Sequence, residues 1–251
     1  MARTAEVQGG AHTADMVDQL FEPEDTPPSH VVAPDAPLPA RMRPHTLDDV
    51  VGQDHVLGEG STLRTAIEQG RPFSMVLYGP PGTGKTTLAR IVATAADAAF
   101  EELSAVQAGK AEVRGVIDRA AERRRGSHPP RPTIFFLDEI HRFNKAQQDA
   151  LLPAVEEGLL TLIGATTENP YFEVNSALLS RAQVIELQPL TEADVEKLLR
   201  RAIERDELRG TTVDDDALAF LAARADGDAR TALAALELAA DTAGDRVTLA
   251  V

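Results

Sequence analysis

The stretch Gly79-Pro80-Pro81-Gly82-Thr83-Gly84-Lys85-Thr86-Thr87 decides the fold of this 251-residue chain. It matches the pattern G-x-x-x-x-G-K-[ST], it directly follows the apolar run 75–78, and a helical pattern begins at Lys85. Glycines let backbone N–H groups turn inward around phosphates, and the following helix directs the positive end of its dipole toward the same charge. The stretch therefore predicts a phosphate-binding loop between a strand and a helix.

The side chains of this loop have different expected roles. Lys85 is expected to reach the β and γ phosphates of ATP, and the hydroxyl of Thr86 is expected to bind Mg²⁺. The other loop residues would surround the phosphates, and they are Gly79, Pro80, Pro81, Gly82, Thr83, Gly84 and Thr87. Upstream, Val50 and Val51 are expected to lie against the adenine, although ordinary apolar packing explains these two valines equally well.

Outward from the loop, apolar runs of strand length alternate with helical patterns. The runs lie at 75–78, 100–103, 133–137, 161–165 and 184–187, and the helical patterns between them at 85–96, 110–125, 145–156 and 176–181. This alternation predicts an α/β fold with a parallel five-stranded sheet between helices. After Pro189 we expect no further strands, because helical patterns at 192–207, 214–225 and 229–241 predict a small helical lid domain.

Three domains follow from these patterns. Residues 1–40 contain six prolines and mostly acidic charge, which predicts a disordered arm. Residues 41–188 would form the nucleotide-binding core, and residues 189–251 the helical lid. Within the arm, the segment 17–21 loosely resembles a sliding-clamp-binding peptide, although a chance cluster is the simpler interpretation.

Composition excludes several classes of protein. The chain has no Cys, so it has neither disulfides nor a thiol nucleophile. It has no signal-peptide pattern and no apolar run of about 20 residues, so we expect a cytoplasmic, nucleoid-associated protein without a membrane partner. The net charge of −15 predicts that any DNA contact is local. One local candidate is the arginine group at 114, 119, 123, 124, 125 and 131, although interleaved acids favour a solvated face.

Two adjacent carboxylates end the apolar run 133–137. Asp138 and Glu139 lie at the carboxyl end of the predicted strand, where open α/β sheets bind ligands. Asp138 is expected to hold the Mg²⁺ shell, and Glu139 to orient or deprotonate the attacking water. The next two residues complete the letters of a helicase-type box, but we expect His141 to be a packing or capping residue.

Four further residues are candidates for sensing or completing the site. Thr167, with Asn169 as second choice, follows the strand at 161–165 and would position the water near the γ phosphate, unless both are loop-capping residues. Arg181 ends the helical pattern 176–181 and would reach a neighbouring subunit's γ phosphate, although an arginine there is more often a helix cap. Arg230 would project from the lid toward the nucleotide, unless it forms a surface ion pair.

In this order, the motifs resemble the AAA+ family from about Arg41 onward, over more than four fifths of the chain. Within that family, the segments 40–44, 141–149 and 163–170 are similar to the replication-associated recombination branch, which includes the Werner-helicase-interacting proteins. The resemblance implies a DNA-dependent ATPase that acts at stalled or gapped replication forks. It also implies a C-terminal domain that forms tetramers, which we expect to begin near Val251, where the chain ends.

The same resemblance implies partners and leaves alternatives. The implied partners are gapped, forked or junction DNA, further copies of the chain, and a sliding clamp or single-strand-binding protein. One alternative is a clamp loader or a Holliday-junction branch-migration ATPase. The other is a scaffold that keeps the fold without hydrolysis, against which the intact Lys85, Asp138, Glu139 and Arg181 argue.

Overall fold

A computed structural model describes residues 32–126 and 130–249, which are organised around a parallel five-stranded sheet. Its strands are β1 (Met75–Tyr78), β2 (Ala99–Ser104), β3 (Thr133–Asp138), β4 (Thr161–Thr166) and β5 (Gln183–Glu186). Their spatial order is β2-β3-β4-β1-β5, and all neighbours pair in parallel. The predicted α/β fold is therefore confirmed.

The central strands are apolar throughout because helices cover both faces of the sheet. Met75, Leu77 and Phe136 belong to the apolar cluster on one face, whereas Val76 and Phe135 belong to the cluster on the other. Successive side chains of a strand point to opposite faces, which explains this division. The loop that follows β1 is thus held at the middle of a buried sheet.

Nine helices surround this sheet or precede it in the described part of the chain. They are α1 (Leu38–Arg41), α2 (Asp54–Leu57), α3 (Thr62–Glu68), α4 (Lys85–Ala95), α5 (Lys110–Gly126), α6 (Lys145–Asp149), α7 (Leu152–Glu156), α8 (Pro170–Glu173) and α9 (Ser176–Leu179). Two short 3-10 turns lie at Leu47–Asp49 and Ile140–Arg142. Within the described residues, no helix has the length and apolar content that crossing a bilayer requires.

The helix predicted at 145–156 is two helices in the structure. Helix α6 ends at Asp149, and α7 begins at Leu152 with Pro153 in its first turn. Proline has no N–H to donate to the preceding turn, but it is well accommodated at the start of a helix. The continuous helical pattern was therefore interrupted by a residue that favours a new helix start.

A second layer contains the helices α10 (Glu192–Glu204), α11 (Asp215–Arg224) and α12 (Ala229–Ala243) around their own apolar core. The expectation that strands stop after Pro189 is wrong, because β6 (Thr212–Val213) and β7 (Arg246–Val247) pair in parallel. The Thr212 N–H donates to Asp245 O at 3.0 Å. Strands of two residues have no periodicity that a sequence pattern could reveal.

The segment around α1 packs against this helical layer. Leu38 and Met42 are buried in the same apolar cluster as Leu236. Arg41 forms ion pairs with Glu207 at 2.8 Å and with Glu237 at 3.3 Å. The boundary expected between residues 40 and 41 thus falls inside a short packed helix. The segment 17–21, which resembles a clamp-binding peptide, lies outside the described residues.

Several arginines of the candidate DNA-binding group contact the protein itself. Arg119 and Arg123 form ion pairs with Glu101 at 2.7 Å and 2.6 Å. Burial raises the pKa of Glu101, but hydrogen bonds from these two arginines outweigh it and leave the pKa below its usual value. Arg124 donates to Glu157 O at 3.2 Å. These contacts tie α5 to the rest of the α/β layer. Arg123 is buried, so it does not belong to the solvated face that was the alternative to DNA binding.

Candidate functional site

A cleft lies between the sheet layer and the helical layer. The α/β side contributes the phosphate-loop residues 82–87 together with Val50, Val51, Asp138 and Glu139. The helical side contributes Leu190, Leu198, Ala229, Arg230 and Leu233, and the segment near α1 contributes Pro39, Met42, Arg43 and Pro44. Apolar side chains thus face charged ones across one cleft, which is the composition of a site for a ligand with both an apolar ring and an anionic group.

At two positions of the phosphate loop, Gly82 and Gly84, the backbone has a conformation that only glycine adopts easily. Gly82 has φ +72° and Gly84 has φ +96°. The Lys85 Nζ donates to Gly79 O at 2.6 Å and to Pro80 O at 2.7 Å, so the ammonium lies over the loop. Gly79, Pro80 and Pro81, which were also expected to surround the phosphates, are not part of the cleft lining.

The environment of Lys85 shows which charges surround the loop. Burial is the largest influence on Lys85, and it lowers the pKa of the ammonium. The carboxylates of Asp138 and Glu139 oppose this effect, whereas Arg230 adds to it. The structure therefore brings Lys85, the two acids at the end of β3 and the lid arginine together in one cleft. Along the chain, Lys85 and Arg230 are 145 positions apart.

The acids Asp138 and Glu139 are separated by a sharp change of backbone direction. Asp138 is the last residue of β3, and its Oδ1 accepts a hydrogen bond from the Glu139 N–H at 3.1 Å. Glu139 has the left-handed conformation, with φ 54° and ψ 42°. A non-glycine residue in this region is strained, and such residues cluster at functional sites. The turn gives the two carboxylates different directions within the same cleft.

Two polar residues lie behind Glu139: His141, which was expected to be a packing or capping residue, and Thr166, which was not singled out. His141 Nε2 lies 3.2 Å from Glu139 Oε2, and His141 Nδ1 lies 2.9 Å from the hydroxyl of Thr166. Thr166 is fully buried, and its hydroxyl also accepts the Glu168 N–H at 2.9 Å. His141 thus connects the end of β3 to the end of β4. The adjacency of these two strands was the signal that could have revealed the link.

The structure does not bring the two sensor candidates into the cleft. Thr167 and Asn169 are absent from the cleft lining. The Asn169 side chain accepts the Tyr171 N–H at 3.0 Å and so caps α8, as the alternative interpretation foresaw. A hydroxyl linked to the acids belongs instead to Thr166, the last residue of β4, because it contacts His141, which in turn contacts Glu139.

The lid contributes its arginine through the first turn of α12. Asp228 caps this helix by accepting the N–H groups of Arg230 and Thr231 at 2.8 Å and 3.1 Å. A Cβ atom at Gly82 would lie 1.9 Å from Asp228 Oδ1 and 2.9 Å from its Cα. The start of α12 therefore rests directly on the phosphate loop, and this contact sets the distance between Arg230 and the loop.

Replacing Gly82 with Ala is expected to destabilise the closed arrangement of the two layers. The new methyl group must displace Asp228, and the left-handed φ adds a backbone cost of about 1 kcal/mol. Gly84→Ala is the matched control, because its φ is also positive but nothing lies within 4 Å of a Cβ there. Urea unfolding should show a larger loss of free energy for Gly82→Ala. Equal losses for both variants would contradict the contact with Asp228.

Arg181 lies outside the cleft of its own chain. Its Nη1 donates to Ala177 O at 2.7 Å, and its Nη2 pairs with Glu156 at 2.5 Å. The side chain is 38% exposed. In a single chain Arg181 thus caps α9 and does not lie in that chain's own cleft. The site that it was predicted to complete belongs to a neighbouring copy.

Arg43 is a cleft residue that the sequence analysis did not single out. Its pKa is lowered mainly by burial, and Arg90 and Arg230 contribute further repulsion. It lies in the segment 40–44, on which the resemblance within the AAA+ family partly rested. Residues 42–44 of that segment line the same cleft as Arg230. The feature of the sequence that could have identified Arg43 as a cleft residue was therefore its place beside Pro44 in this segment, and not a periodic pattern.

Known proteins are similar to this chain in sequence and in fold. Residues 75–190 match the model of the ATPase family associated with various cellular activities (AAA). The Holliday junction branch migration motor RuvB of Thermotoga maritima is 30% identical, with a TM-score of 0.66. That alignment covers 82% of this chain and 69% of RuvB. The chain therefore belongs to the AAA family of ATPases.

The resemblance within this family is confirmed by curated relatives. Replication-associated recombination protein A of Haemophilus influenzae is 50% identical over 214 residues, which are 83% of this chain and 47% of the relative. ATPase WRNIP1 of Dictyostelium discoideum is 46% identical over 207 residues, which are 81% of this chain and 23% of that protein. The chain thus spans about half or less of the length of these relatives.

Proposed function

We propose that this chain binds ATP with Mg²⁺ in the cleft between its two layers and hydrolyses it at an interface with a second copy. The observation that carries this proposal is the convergence of Lys85, Asp138, Glu139 and Arg230 on one cleft. A lysine on a glycine-rich loop beside two carboxylates is the arrangement that phosphoryl transfer from a nucleoside triphosphate requires. The family and its relatives support the same activity.

The residues of the cleft fit both ATP and its metal ion. Val50, Val51 and Leu233 offer an apolar surface for the base, whereas the loop offers N–H groups and Lys85 for the phosphates. No cluster of three or more His, Cys, Asp or Glu side chains suited to a metal occurs in the described ranges. Thr86 and Asp138 alone suit Mg²⁺, which usually binds few protein ligands and keeps its remaining contacts to phosphates and water.

Each charged residue has a separate task in the proposed reaction. Lys85 leaves its contacts with the loop carbonyls and stabilises the β and γ phosphates. Mg²⁺, when bound by Thr86 and Asp138, neutralises charge on the phosphate oxygens. Glu139 orients and deprotonates the attacking water, and His141 holds the carboxylate in position. Arg230 joins the lid to the γ phosphate, so that phosphate release loosens the contact between the two layers.

Arg181 completes the site from a second copy of the chain. It cannot act in its own cleft, because it caps α9 and pairs with Glu156 at 2.5 Å outside the cleft lining. A guanidinium stays charged and can contact two phosphate oxygens, which suits it to stabilise charge that develops during transfer. An isolated copy is therefore a poor ATPase, and assembly switches hydrolysis on.

The wider role that we propose is DNA-dependent work in replication-fork maintenance and recombination. The names of the relatives, Replication-associated recombination protein A and the RuvB branch migration motor, support this assignment. Gapped, forked or junction DNA is the proposed partner, together with further copies of the chain, for which the full-length family implies a tetramer. A sliding clamp or single-strand-binding protein is a further proposed partner, and the proposed location is the cytoplasm near the nucleoid.

Phosphate release tests this function. Purified protein over a range of concentrations, with MgATP, should release phosphate faster per chain as concentration rises, and gapped duplex DNA should raise the rate further. Duplex without a gap is the comparison for the DNA effect. If the rate stays at the background level at every concentration and with every DNA, the chain binds nucleotide without turning it over, as a scaffold would. Preferential stimulation by four-way junctions would favour a branch-migration role instead.

A further inference from the structure

Two adjacent aromatic side chains protrude from the α/β layer at α8. Tyr171 is 69% exposed and Phe172 is 82% exposed. The backbone around them is firmly held, because Pro170 and Val174 are buried on either side and Asn169 caps the helix. The rings therefore contribute little to the fold of a single chain. Neighbouring exposed aromatic residues on an otherwise well-packed element are typical of a protein interface.

These rings share one rigid support with Arg181. The buried side chain of Gln148 on α6 donates to Glu173 O of α8 at 3.1 Å. The same side chain accepts the N–H of Asn175 at 2.6 Å, and Asn175 caps α9, the helix that Arg181 follows. Helices α8 and α9 are thus fixed to the same residue. A partner that contacts Arg181 is consequently presented with the two rings as well.

The surroundings of the rings are strongly acidic. Between positions 149 and 181, Arg181 is the only basic residue of the sequence. The acidic residues of this stretch are all exposed, and they are Asp149, Glu156, Glu157, Glu168 and Glu173. Such a charge balance repels the phosphate backbone of nucleic acid, whose binding depends on Lys and Arg. The surface is better suited to a protein partner that presents cations.

The cleft side of the chain presents such cations. Burial is the main cause of the lowered pKa of Arg43, and the nearby Arg90 and Arg230 lower it further. Arg90 also pairs with Glu102 at 2.6 Å. Arg43 and Arg230 also line the cleft to which a trans-acting arginine must be delivered. The acidic face around Arg181 and the arginine group beside the cleft are thus complementary in charge, and two copies can satisfy both.

We infer that Tyr171 and Phe172 are the apolar anchor with which the Arg181 face docks beside the nucleotide cleft of a second copy of this chain. The inference rests on the proposed function, because it assumes that Arg181 acts in a neighbouring cleft. Aromatic residues in a desolvated interface centre often dominate the binding energy, and the charged rim then sets orientation. The two rings would supply affinity, and the five acids would supply the match to the arginine group.

The double variant Tyr171→Ser, Phe172→Ser tests the inference in an ATPase titration against protein concentration. The concentration that gives half-maximal activity per chain should rise about tenfold or more, because two anchor residues are lost. Binding of a fluorescent ADP to the single chain should not change, since neither ring lines the cleft. Phe220→Ser is the matched control: this ring on α11 is 49% exposed but lies outside the acidic stretch, and its removal should leave the titration unchanged.

A mixing experiment shows on which side of the interface the rings act. Chains with Lys85→Ala have no working loop but keep the Arg181 face, so adding them to the double variant should restore activity in the variant's cleft. Unchanged concentration dependence in the double variant would overturn the inference, as would failure of the mixture to recover. Loss of single-strand DNA binding with normal concentration dependence would overturn it too, and would assign the rings to nucleic acid.

Sedimentation velocity separates this inference from the proposed hydrolysis. With a non-hydrolysable ATP analogue, the unaltered chain should self-associate at concentrations at which the double variant stays monomeric. This result supports the docking face even if the chain has no ATPase activity at all. Equal self-association of both proteins contradicts the docking face even if hydrolysis is fast.

Discussion

Replacing Glu139 with Gln is expected to lower ATP turnover by a factor of about 10²–10⁴ while nucleotide binding persists, because a positioned general base contributes about that much to a reaction rate. The amide keeps the size of the side chain but cannot accept a proton from water. Nucleotide binding should persist, since the hydrogen bonds of Lys85 go to the loop carbonyls of Gly79 and Pro80 and not to Glu139. Single-turnover phosphate release, together with binding of a fluorescent ATP analogue, measures the two effects separately.

Glu59→Gln is the matched control for this substitution. Glu59 is an exposed carboxylate between α2 and α3, and its side chain is not part of the cleft lining. The same chemical change there should leave turnover near that of the unaltered chain. If Glu139→Gln retains its full rate, Glu139 is not the group that activates water, and the contact with His141 is then structural only.

Replacing Arg181 with Ala is expected to lower the activity of assembled protein by a factor of about 10³–10⁵, the range known for arginine fingers. The loss should appear in the rate at saturating ATP and leave the nucleotide affinity of a single chain almost unchanged, because Arg181 is remote from its own cleft. Its pair with Glu156 must open when the guanidinium reaches a phosphate. Steady-state kinetics at a concentration at which the protein is associated provides the measurement.

Arg181 also caps α9, so its removal has a structural effect that needs separating from the catalytic one. The cap contact with Ala177 O is expected to be worth about 1 kcal/mol or less, which urea unfolding detects. Arg125→Ala is a suitable control, since Arg125 likewise donates to a helix carbonyl, Ala121 O at 3.2 Å. Comparable ATPase rates for the two variants would mean that Arg181 serves the helix and not a neighbouring cleft.

Elements with strong local patterns could be predicted to within a residue or two. The run 75–78 is β1, and the helix expected at 85–96 is α4, Lys85–Ala95. Both have apolar residues whose spacing reflects the faces they bury. The helix and strand patterns failed where one or two residues decide the structure. Pro153 divides one predicted helix into two, and the two-residue strands β6 and β7 form by pairing Thr212 with Arg246 and Val213 with Val247.

The two sensor candidates, Thr167 and Asn169, show the same limit of prediction from the sequence at the site. A position after β4 was predicted for the hydroxyl near the acids, but strand ends cannot be located to a single residue from periodicity alone. The strand extends to Thr166, and only its pairing with β1 through Tyr78 places that hydroxyl level with the phosphate loop. Asn169, three residues later, is used as a helix cap. A shift of one residue along a strand reverses the side on which a side chain lies.

The amino-acid sequence by itself determined the phosphate loop, the paired carboxylates, the alternation that makes a parallel sheet and the membership of the AAA family, because each of these is a local pattern with a local physical cause. The tertiary structure alone decided which distant groups meet. It placed Asp228 of the lid on Gly82 of the loop, joined Glu139 to Thr166 through His141, and set Arg181 outside its own cleft. Contacts between residues far apart along the chain depend on the packing of whole layers, and no short window of sequence contains that information.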